Sequence, residues 1–186
     1  MGDNAFRDEE IIRSILREGM SHKYSILYKK YYQRVLDKCY TMVKNKEKAR
    51  ELAQEIFAKA FEMLGTFQGR SSFSSWLYSI TYNHCIDYLR IQKKISYPDW
   101  DRDNVLPDIF EPVEEDFSET DYDMLMKILD KIHPEEKALL LMKYQDGISI
   151  HNISTALRIS ESAAKMRLKR AKARVLYLYR EMKPEG

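Results

Sequence analysis

Residues 149–175 read SIHNISTALRISESAAKMRLKRAKARV, and this stretch indicates a helix-turn-helix. Ser149 is placed to cap a short helix over residues 150–157, and Ser160 is placed to cap a second helix that begins at Glu161. Only a tight turn fits between the two helices. A short helix, a tight turn and a longer helix in this order match the spacing of the DNA-binding helix-turn-helix.

The second helix of this motif is predicted to have a basic outer surface. A projection at about 100° per residue places four small or apolar residues on one face: Ala164, Leu168, Ala171 and Val175. The same projection turns these residues outward: Ser162, Met166, Lys169, Arg170 and Ala173. Lys165 and Lys172 flank one side, and Arg167 and Arg174 flank the other. The pattern fits a helix in a major groove, with flanking cations on phosphates; a solvent-exposed basic helix is the alternative.

Helical periodicity extends through most of the remaining chain, which predicts an all-α protein. Residues 122–132 are amphipathic, and a further helix should begin at His133-Pro134 and stop at Asp146-Gly147. Residues 66–72 have the Gly and Ser content of a loop, and the serine pair at its end can cap the next helix. In the first half we predict helices over residues 8–20, from Ser21 to about Val43, over 47–64 and over 73–93.

The formal net charge of +2 conceals three unlike segments. Residues 1–96 hold 17 Lys and Arg against 11 Asp and Glu, and residues 127–186 hold 13 against 7. Residues 97–126 hold 11 acids, one base and three of the five prolines. This composition predicts two basic lobes kept apart by an extended acidic linker. Alternatively, the linker imitates nucleic acid and occupies a basic groove on a partner or on these lobes.

Several classes of protein are disfavoured by the sequence. The N-terminus is acidic where a signal peptide would be basic and then apolar, and no run of 18 apolar residues occurs, which predicts a cytoplasmic protein without membrane insertion. Cys39 and Cys85 have no CxxC spacing and are expected to be core thiols. The four histidines lack a metal-binding spacing, and no phosphate-binding or nucleophile motif occurs. We therefore expect no enzyme activity, no metal or cofactor and no small-molecule substrate.

Tyrosine is concentrated in the first lobe, which contains eight of the 13. Aromatic rings beside Lys or Arg are platforms on which unpaired bases stack. Tyr24, Tyr28 and Tyr31 fit the apolar stripe of their helix and are expected in the core. Tyr82 falls on a more polar side of its helix, so we expect it at the surface.

Specific motifs in both lobes are similar to one known family. In the first lobe they are ARELAQEIF at 49–57 with Ala60-Phe61, and FQGRSSFSSWLY at 67–78 with Asn83, Ile86-Asp87 and Leu89-Arg90. In the second they are Pro134-Glu135-Glu136, Asp146-Gly147-Ile148-Ser149, Ile153, and Ile159-Ser160 leading to Lys165, Arg167-Leu168 and Arg170-Ala171. On these motifs the chain resembles the extracytoplasmic-function (ECF) sigma factors, the minimal, two-domain specificity subunits of bacterial RNA polymerase.

The resemblance implies a sigma region 2 helical domain at 1–96, an acidic flexible linker at 97–121 and a sigma region 4 helix-turn-helix domain at 122–186. It also implies core RNA polymerase and promoter DNA as partners, with an anti-sigma factor as a further candidate. The residues implied to bind polymerase are Glu51, Leu52, Gln54, Glu55 and Phe57. Those implied to recognise and melt the minus-ten element are Gln68, Gly69, Arg70, Ser71, Ser72, Trp76, Tyr78, Tyr82, Asn83 and Arg90. Those implied to contact the minus-35 element are Ser160, Ser162, Ala163, Lys165, Met166, Arg167, Lys169, Arg170 and Arg174.

The chain departs from the family pattern within the helix-turn-helix itself. Arg158 occupies the turn position at which the family usually has Gly, and His151-Asn152 replaces the usual acidic pair. A repressor or activator that binds duplex DNA without polymerase, and dimerises through the first lobe, is the alternative function. It predicts palindromic half-sites, whereas a sigma factor opens promoters only with core polymerase.

Overall fold

The structure is a computed structural model that describes residues 2–92 and 122–182, with side chains from Arg7 onward. Within these two ranges the chain is helical and contains no strand, so the all-α prediction is confirmed. The predicted acidic linker and the boundary at residue 96 lie outside the described residues. The helices are α1 (Gly2–Glu18), α2 (Tyr24–Val43), α3 (Lys46–Glu62), α4 (Phe73–Gln92), α5 (Tyr122–Leu129), α6 (Pro134–Leu140), α7 (Ile150–Leu157) and α8 (Glu161–Met182).

The first lobe is a bundle in which α2 packs against both α3 and α4. The apolar stripe predicted for α2 is its buried face, with Leu27, Val35 and Cys39 sealed from water. Asn45 caps α3 by accepting a hydrogen bond from the Lys48 amide. Cys39 and Cys85 are buried free thiols, as expected for core residues. A hydrogen bond with Cys39, together with burial, raises the pKa of Cys85 well above its usual range.

The second lobe begins with α5 and α6 and ends with the helix-turn-helix, α7 and α8. His133 and Glu136 form a capping box at the start of α6, where Pro134 occupies the tolerated first turn. The helical path continues as a single π-helical turn over Leu141–Gln145. Gly147 then adopts a left-handed conformation with φ of 64°, and this turn leads the chain into α7.

The predicted turn of the helix-turn-helix is present, although it lacks the usual glycine. Ser149 accepts a hydrogen bond from the Asn152 amide at 3.2 Å, and Ser160 accepts one from the Ala163 amide at 3.1 Å, so both caps are confirmed. Between them Arg158 adopts the left-handed conformation with φ of 55°. A residue with a Cβ pays a steric cost in this conformation. The turn therefore has the backbone geometry that glycine would favour, and the Cβ of Arg158 makes this geometry less stable.

The two lobes are in direct contact. Helix α4 of the first lobe packs against α6 and α7 of the second, and α2 also reaches α6. Buried residues of both lobes belong to one continuous apolar cluster. The expectation that the linker keeps the lobes apart is therefore wrong for this arrangement. The reason is that α4 has apolar or aromatic side chains on more than one side, including Tyr78, Tyr82 and Leu89, and the second lobe covers the side that the bundle leaves open.

Candidate nucleic-acid interface

Helix α8 presents the outer face that the projection predicted. Ala164, Leu168 and Ala171 are buried against the second lobe. Ser162, Lys165, Met166 and Lys169 are exposed on the opposite side, where Met166 keeps 53% of its surface in contact with water. Ala163 and Arg170 are half-buried beside this face. The face begins at the helix N-terminus, where the helix dipole favours an anionic ligand such as a phosphate.

Two of the arginines predicted to contact DNA phosphates face acids of their own lobe. Arg167 Nη1 lies 3.6 Å from Glu135 Oε2, and Arg174 Nε lies 3.5 Å from Glu136 Oε1. Both glutamates are buried on α6, Glu136 completely. A buried carboxylate requires a nearby cation, so Arg167 and Arg174 are engaged within their own lobe in this arrangement. Their assignment to DNA phosphates stays a prediction.

Burial also dominates the ionisation of these two acids. It raises the pKa of Glu135, while Arg90 and Arg167 act in the opposite direction. Burial likewise raises the pKa of Glu136, against the lowering effect of Arg174. The ion pairs therefore offset part of a desolvation cost, as expected for acids held in the interior of a lobe.

A loop with an exposed tip joins α3 to α4. Gln68, Gly69 and Arg70 are exposed, and Gly69 has a left-handed backbone with φ of 67°. Ser72 caps α4 by accepting a hydrogen bond from the Ser75 amide at 3.2 Å, and Ser71 beside it is half-buried. Trp76 is half-buried, and its ring stands 5.6 Å from that of Phe67. This loop and the ring beside it are open to solvent at the start of α4.

Farther along α4, the predicted aromatic surface is covered. Tyr82 is fully buried and Tyr78 is nearly so, which makes the expectation of an exposed Tyr82 wrong. The Tyr82 hydroxyl donates a hydrogen bond to Asp146 Oδ2 of the second lobe at 2.8 Å. Burial, then the adjacent Asp146, raises the pKa of Tyr82 far above its ordinary value. Helices α6 and α7 cover this side of α4, a contact between distant parts of the chain that no local pattern predicts.

The remaining two predicted residues of α4 lie at the margin of this covered region. Asn83 is half-buried. Arg90 is exposed, and its Nη2 lies 2.8 Å from Glu135 Oε1 of the second lobe while its Nη1 lies 3.5 Å from Asp87. The structure therefore separates the predicted minus-ten residues into an accessible loop group and a group at or beneath the contact with the second lobe.

The predicted polymerase-binding residues on α3 divide between surface and core. Glu51, Gln54 and Glu55 are exposed. Leu52 and Phe57 are only 2% exposed and belong to the core. Phe57 also lines an apolar groove beside Gln54. Their assignment to the polymerase-binding surface stays a prediction. Helical periodicity explains the division, because positions 52 and 57 lie on the buried side of α3 while the polar positions lie on its exposed side.

An apolar groove beside Gln54 was missed by the sequence reasoning. The rings of Tyr24, Tyr28 and Phe61 line it, together with Ala58. Tyr24 and Tyr28 were expected in the core but are half-buried, and Phe61 is exposed. Phe61 lies 4.8 Å from Tyr24 between ring centres. A run of aromatics on two adjacent helices was visible in the sequence, but which rings stay exposed depends on how those helices pack.

Residues 2–92 and 122–182 contain no group of three or more His, Cys, Asp or Glu side chains arranged to hold a metal ion. None of the helices described is long and apolar enough to cross a membrane.

Comparisons with known families find matches in both lobes. Residues 27–95 match the family model described as Sigma-70 region 2, and residues 122–175 match the one described as Sigma-70, region 4. The chain is 30% identical to the ECF RNA polymerase sigma factor SigX of Bacillus subtilis (strain 168) over 151 residues, covering 78% of each chain. It is 27% identical to the ECF RNA polymerase sigma factor SigW of the same organism over 171 residues, covering 84% of this chain and 89% of that protein.

Two solved structures share the fold at low sequence identity. CnrH, in complex with the cytosolic domain of CnrY, superposes with a TM-score of 0.62 at 16% identity, over 93% of this chain and 97% of that one. The sigma factor RpoE from Bartonella quintana, in complex with the anti-sigma factor NepR, superposes with a TM-score of 0.59 at 17% identity, over 86% and 98%. At these identities the superpositions show a common fold for the helical architecture described above.

Proposed function

The chain belongs to the extracytoplasmic-function family of RNA polymerase sigma factors, and from this premise we propose how its surfaces divide the work of transcription initiation. As a sigma factor it is a transcription initiation factor, and its partners are core RNA polymerase and promoter DNA. We propose that it acts in the cytoplasm, where the polymerase is, and catalyses no reaction of its own. An anti-sigma factor remains a predicted partner.

The outer face of α8 is proposed to recognise the minus-35 element. The supporting observation is the capped helix-turn-helix whose second helix leaves Ser162, Met166 and Lys169 exposed near its N-terminal end. Side chains at this end of a recognition helix reach base edges in the major groove. Lys165 is exposed beside them, in a suitable place for a phosphate contact.

The loop before α4 is proposed to hold a base that is flipped out of the minus-ten element. Gln68, Gly69 and Arg70 are exposed there, and Trp76 adds a ring at the margin of the loop. Unstacking a base costs a few kcal/mol, which stacking and hydrogen bonding in a pocket offset. Tyr78 and Tyr82 can join this contact only after the second lobe leaves α4, because it covers them in this arrangement.

The exposed side of α3 is proposed to bind core polymerase. Glu51, Gln54 and Glu55 supply polar contacts, and the adjacent groove supplies an apolar one. This surface combines an aromatic centre with a polar rim, as protein–protein interfaces commonly do. The proposed linker, 97–121, would join the two lobes while both promoter elements are bound, which raises the effective concentration of each lobe at its site.

Run-off transcription with purified core polymerase tests this function. We expect transcripts from a subset of genomic fragments only when core and the chain are both present. Lys169→Ala should weaken discrimination among minus-35 sequences by roughly 1–3 kcal/mol if Lys169 contacts a base. Lys131→Ala is the matched control, because it removes the same charge from an exposed position outside α8.

Three outcomes would contradict parts of the proposal. The absence of any promoter-dependent transcript would refute the sigma-factor mechanism. Unchanged promoter ranking with uniformly weaker binding would move Lys169 from a base to a phosphate. Tight binding to palindromic duplexes without polymerase would support the alternative repressor or activator.

A further inference from the structure

The first turn of α7 carries a histidine whose ring binds the start of α8. His151 Nδ1 lies 3.0 Å from Glu161 Oε1. The two side chains are 64% and 49% exposed, so a ligand in solution can reach both. His151 belongs to the pair of residues that departs from the acidic pair usual in the family. Neither His151 nor Glu161 is among the residues that the family resemblance implies to contact the minus-35 element.

This pair lies at one edge of the outer face of α8. Glu161 is the first residue of that helix, and the next residue, Ser162, is exposed on the face proposed to read bases. In a helix-turn-helix the second helix lies in the major groove while the first crosses the sugar-phosphate backbone. His151 is in the first turn of the first helix, close to the cap at Ser149. A duplex bound along α8 therefore brings a backbone phosphate close to the exposed ring of His151.

The hydrogen bond to Glu161 determines what the His151 ring can offer a phosphate. An ionised carboxylate only accepts hydrogen bonds, so Nδ1 carries a hydrogen and donates to Glu161. A neutral imidazole has one N–H group, so Nε2 is then an acceptor and cannot bind a phosphate oxygen. A second proton makes Nε2 a donor and the ring a cation. A phosphate contact by His151 therefore requires the uptake of one proton from solvent.

Charge balance favours this protonated ring when DNA is bound. Glu161 is an anion beside a row of phosphates, and like charges repel unless a cation lies between them. A protonated His151 supplies that cation, with one N–H for the carboxylate and the other for a phosphate, and both hydrogen bonds are charge-assisted. In metal sites, too, a carboxylate on one ring nitrogen fixes the orientation of the other.

Other ionisable groups around α7 differ from this pair in their partners. Helix α7 contains no titratable side chain besides His151, and it packs against α8, α4 and the π-helical turn. The neighbouring charges within the motif, Lys165 and Arg158, are exposed cations, and Lys143 of the π-helical turn is another. The other charged, imidazole and phenol groups of α4 and of that turn have partners of their own: Tyr78 with Lys38, Tyr82 with Asp146, His84 with Glu55, Tyr88 with Lys48, Arg90 with Asp87 and Glu135, and Tyr144 with Lys172. Glu161 is therefore the acid that bonds to the His151 ring.

We propose that His151 contacts a DNA phosphate at the edge of the minus-35 element through a protonated imidazole that Glu161 orients. This proposal rests on the proposed function, because it requires α8 to lie on minus-35 DNA. Histidine is the side chain that ordinarily changes charge between about pH 5 and 8, so the contact links promoter binding to pH. The bound state holds the additional proton. Affinity therefore rises as pH falls, by at most about tenfold per pH unit for one proton.

Promoter binding by the complete holoenzyme tests this contact. Core polymerase with the full chain is titrated against a fluorescent promoter duplex at pH values from about 5.5 to 8, at constant ionic strength. His151→Gln removes the ionisable ring, and His151→Lys replaces it with a lasting cation. Lys131→Gln is the matched control, because it removes an exposed cation of the second lobe from outside the helix-turn-helix. Dividing the Kd of each variant by the wild-type Kd at the same pH cancels any effect of pH on the polymerase.

We expect the Kd of His151→Gln to match the wild-type Kd at about pH 8 and to exceed it roughly tenfold at about pH 5.5. Its affinity at the lower pH should also depend less steeply on salt, by about one phosphate contact. The Kd ratio of Lys131→Gln should not change with pH. If circular dichroism shows that His151→Gln loses helix, His151→Lys replaces it, and should bind more tightly than wild type only at the higher pH.

Glu161→Ala tests the orienting role separately. It should abolish the pH-dependent gain without weakening binding at about pH 8, because it removes both the orienting carboxylate and a charge that repels DNA. Wild-type pH dependence in Glu161→Ala would overturn this role of Glu161.

Two results would overturn the phosphate contact. One is a Kd ratio that does not change with pH in either His151 variant. The other is a loss that differs between minus-35 sequences, because it would place His151 on a base. Both results leave the proposed function intact. The failure of every chain to form a promoter complex with core at any pH would instead refute the proposed function and this contact together.

Discussion

Replacement of Arg174 by Met tests whether this residue belongs to an intramolecular ion pair or to a DNA contact. Its guanidinium faces Glu136, which is fully buried, at 3.5 Å. Removing one partner of a buried ion pair costs about 3–5 kcal/mol, because the other charge remains in the interior. Since 20% of the Arg174 side chain is exposed, solvent screens this pair, and we expect a loss of about 2–3 kcal/mol.

The loss should be measurable by thermal and denaturant unfolding. For a cooperative unit of about 150 residues, each kcal/mol lowers Tm by about 2–4 °C, so Arg174→Met should lower it by about 4–12 °C. Lys165→Met is the control, because it removes an exposed cation from the same helix. The double variant Arg174→Met with Glu136→Gln should recover most of the loss, since neither position then holds a charge.

The same variant has a pH dependence of defined sign. Burial raises the pKa of Glu136 above its ordinary value of 4.5, and Arg174 opposes the rise. Without Arg174 the folded-state pKa rises further, so the folded state binds more protons than the unfolded one over a wider range of pH. Stability then falls as pH increases through that folded-state pKa, and is fully retained below 4.5. The deficit of Arg174→Met should therefore be smaller at pH 5 than at pH 7.5. Equal stability of variant and wild type at pH 7.5, with weaker DNA binding, would refute the ion-pair interpretation.

Three other variants probe separate parts of the chain. Gln54→Ala with Glu55→Ala should weaken co-purification with core polymerase, because both side chains are exposed on α3; a loss of helicity in circular dichroism would instead show a structural role. Ser149→Ala should destabilise the second lobe by about 1 kcal/mol in urea unfolding, because it removes the side-chain acceptor for the Asn152 amide. Thr155→Ala, on the exposed side of α7, serves as the control. Arg158→Gly should stabilise the chain by up to about 1 kcal/mol, because residue 158 has φ of 55° and glycine has no Cβ to clash in that conformation. The greater freedom of glycine in the unfolded state offsets part of the gain. A loss of stability would show that the contacts of the Arg158 side chain outweigh the strain of its backbone.

Local features of the chain were predictable because they depend on residues close together in sequence. The caps at Ser149 and Ser160 and the end of α2 at Val43 were predicted correctly. The exposed face of α8 followed from helical geometry alone. Helix ends were less accurate, since α1 begins at Gly2 where residue 8 was predicted, and Ser21 lies in a short 3-10 turn instead of capping α2.

The sequence was ambiguous where a side chain had two suitable environments. Arg167 and Arg174 have the charge to bind phosphate, and they have the reach to pair with buried acids on α6. Tyr82 can stack on a base or donate a hydrogen bond to a buried carboxylate. Sequence periodicity determines the side of its own helix on which a residue lies, but not which other helix covers that side.

The sequence by itself determined the helices, their caps, the basic outer face of α8 and the family to which the chain belongs, because each depends on spacing within one segment. Only the tertiary structure decided that Asp146 binds Lys38 and Tyr82, residues 108 and 64 positions away along the chain. Such a contact forms because α4 has a second apolar side to bury and because each buried charge needs a partner. Many surfaces could cover the second apolar side of α4 and supply partners for its buried charges. Residue spacing alone does not specify which part of the chain does so.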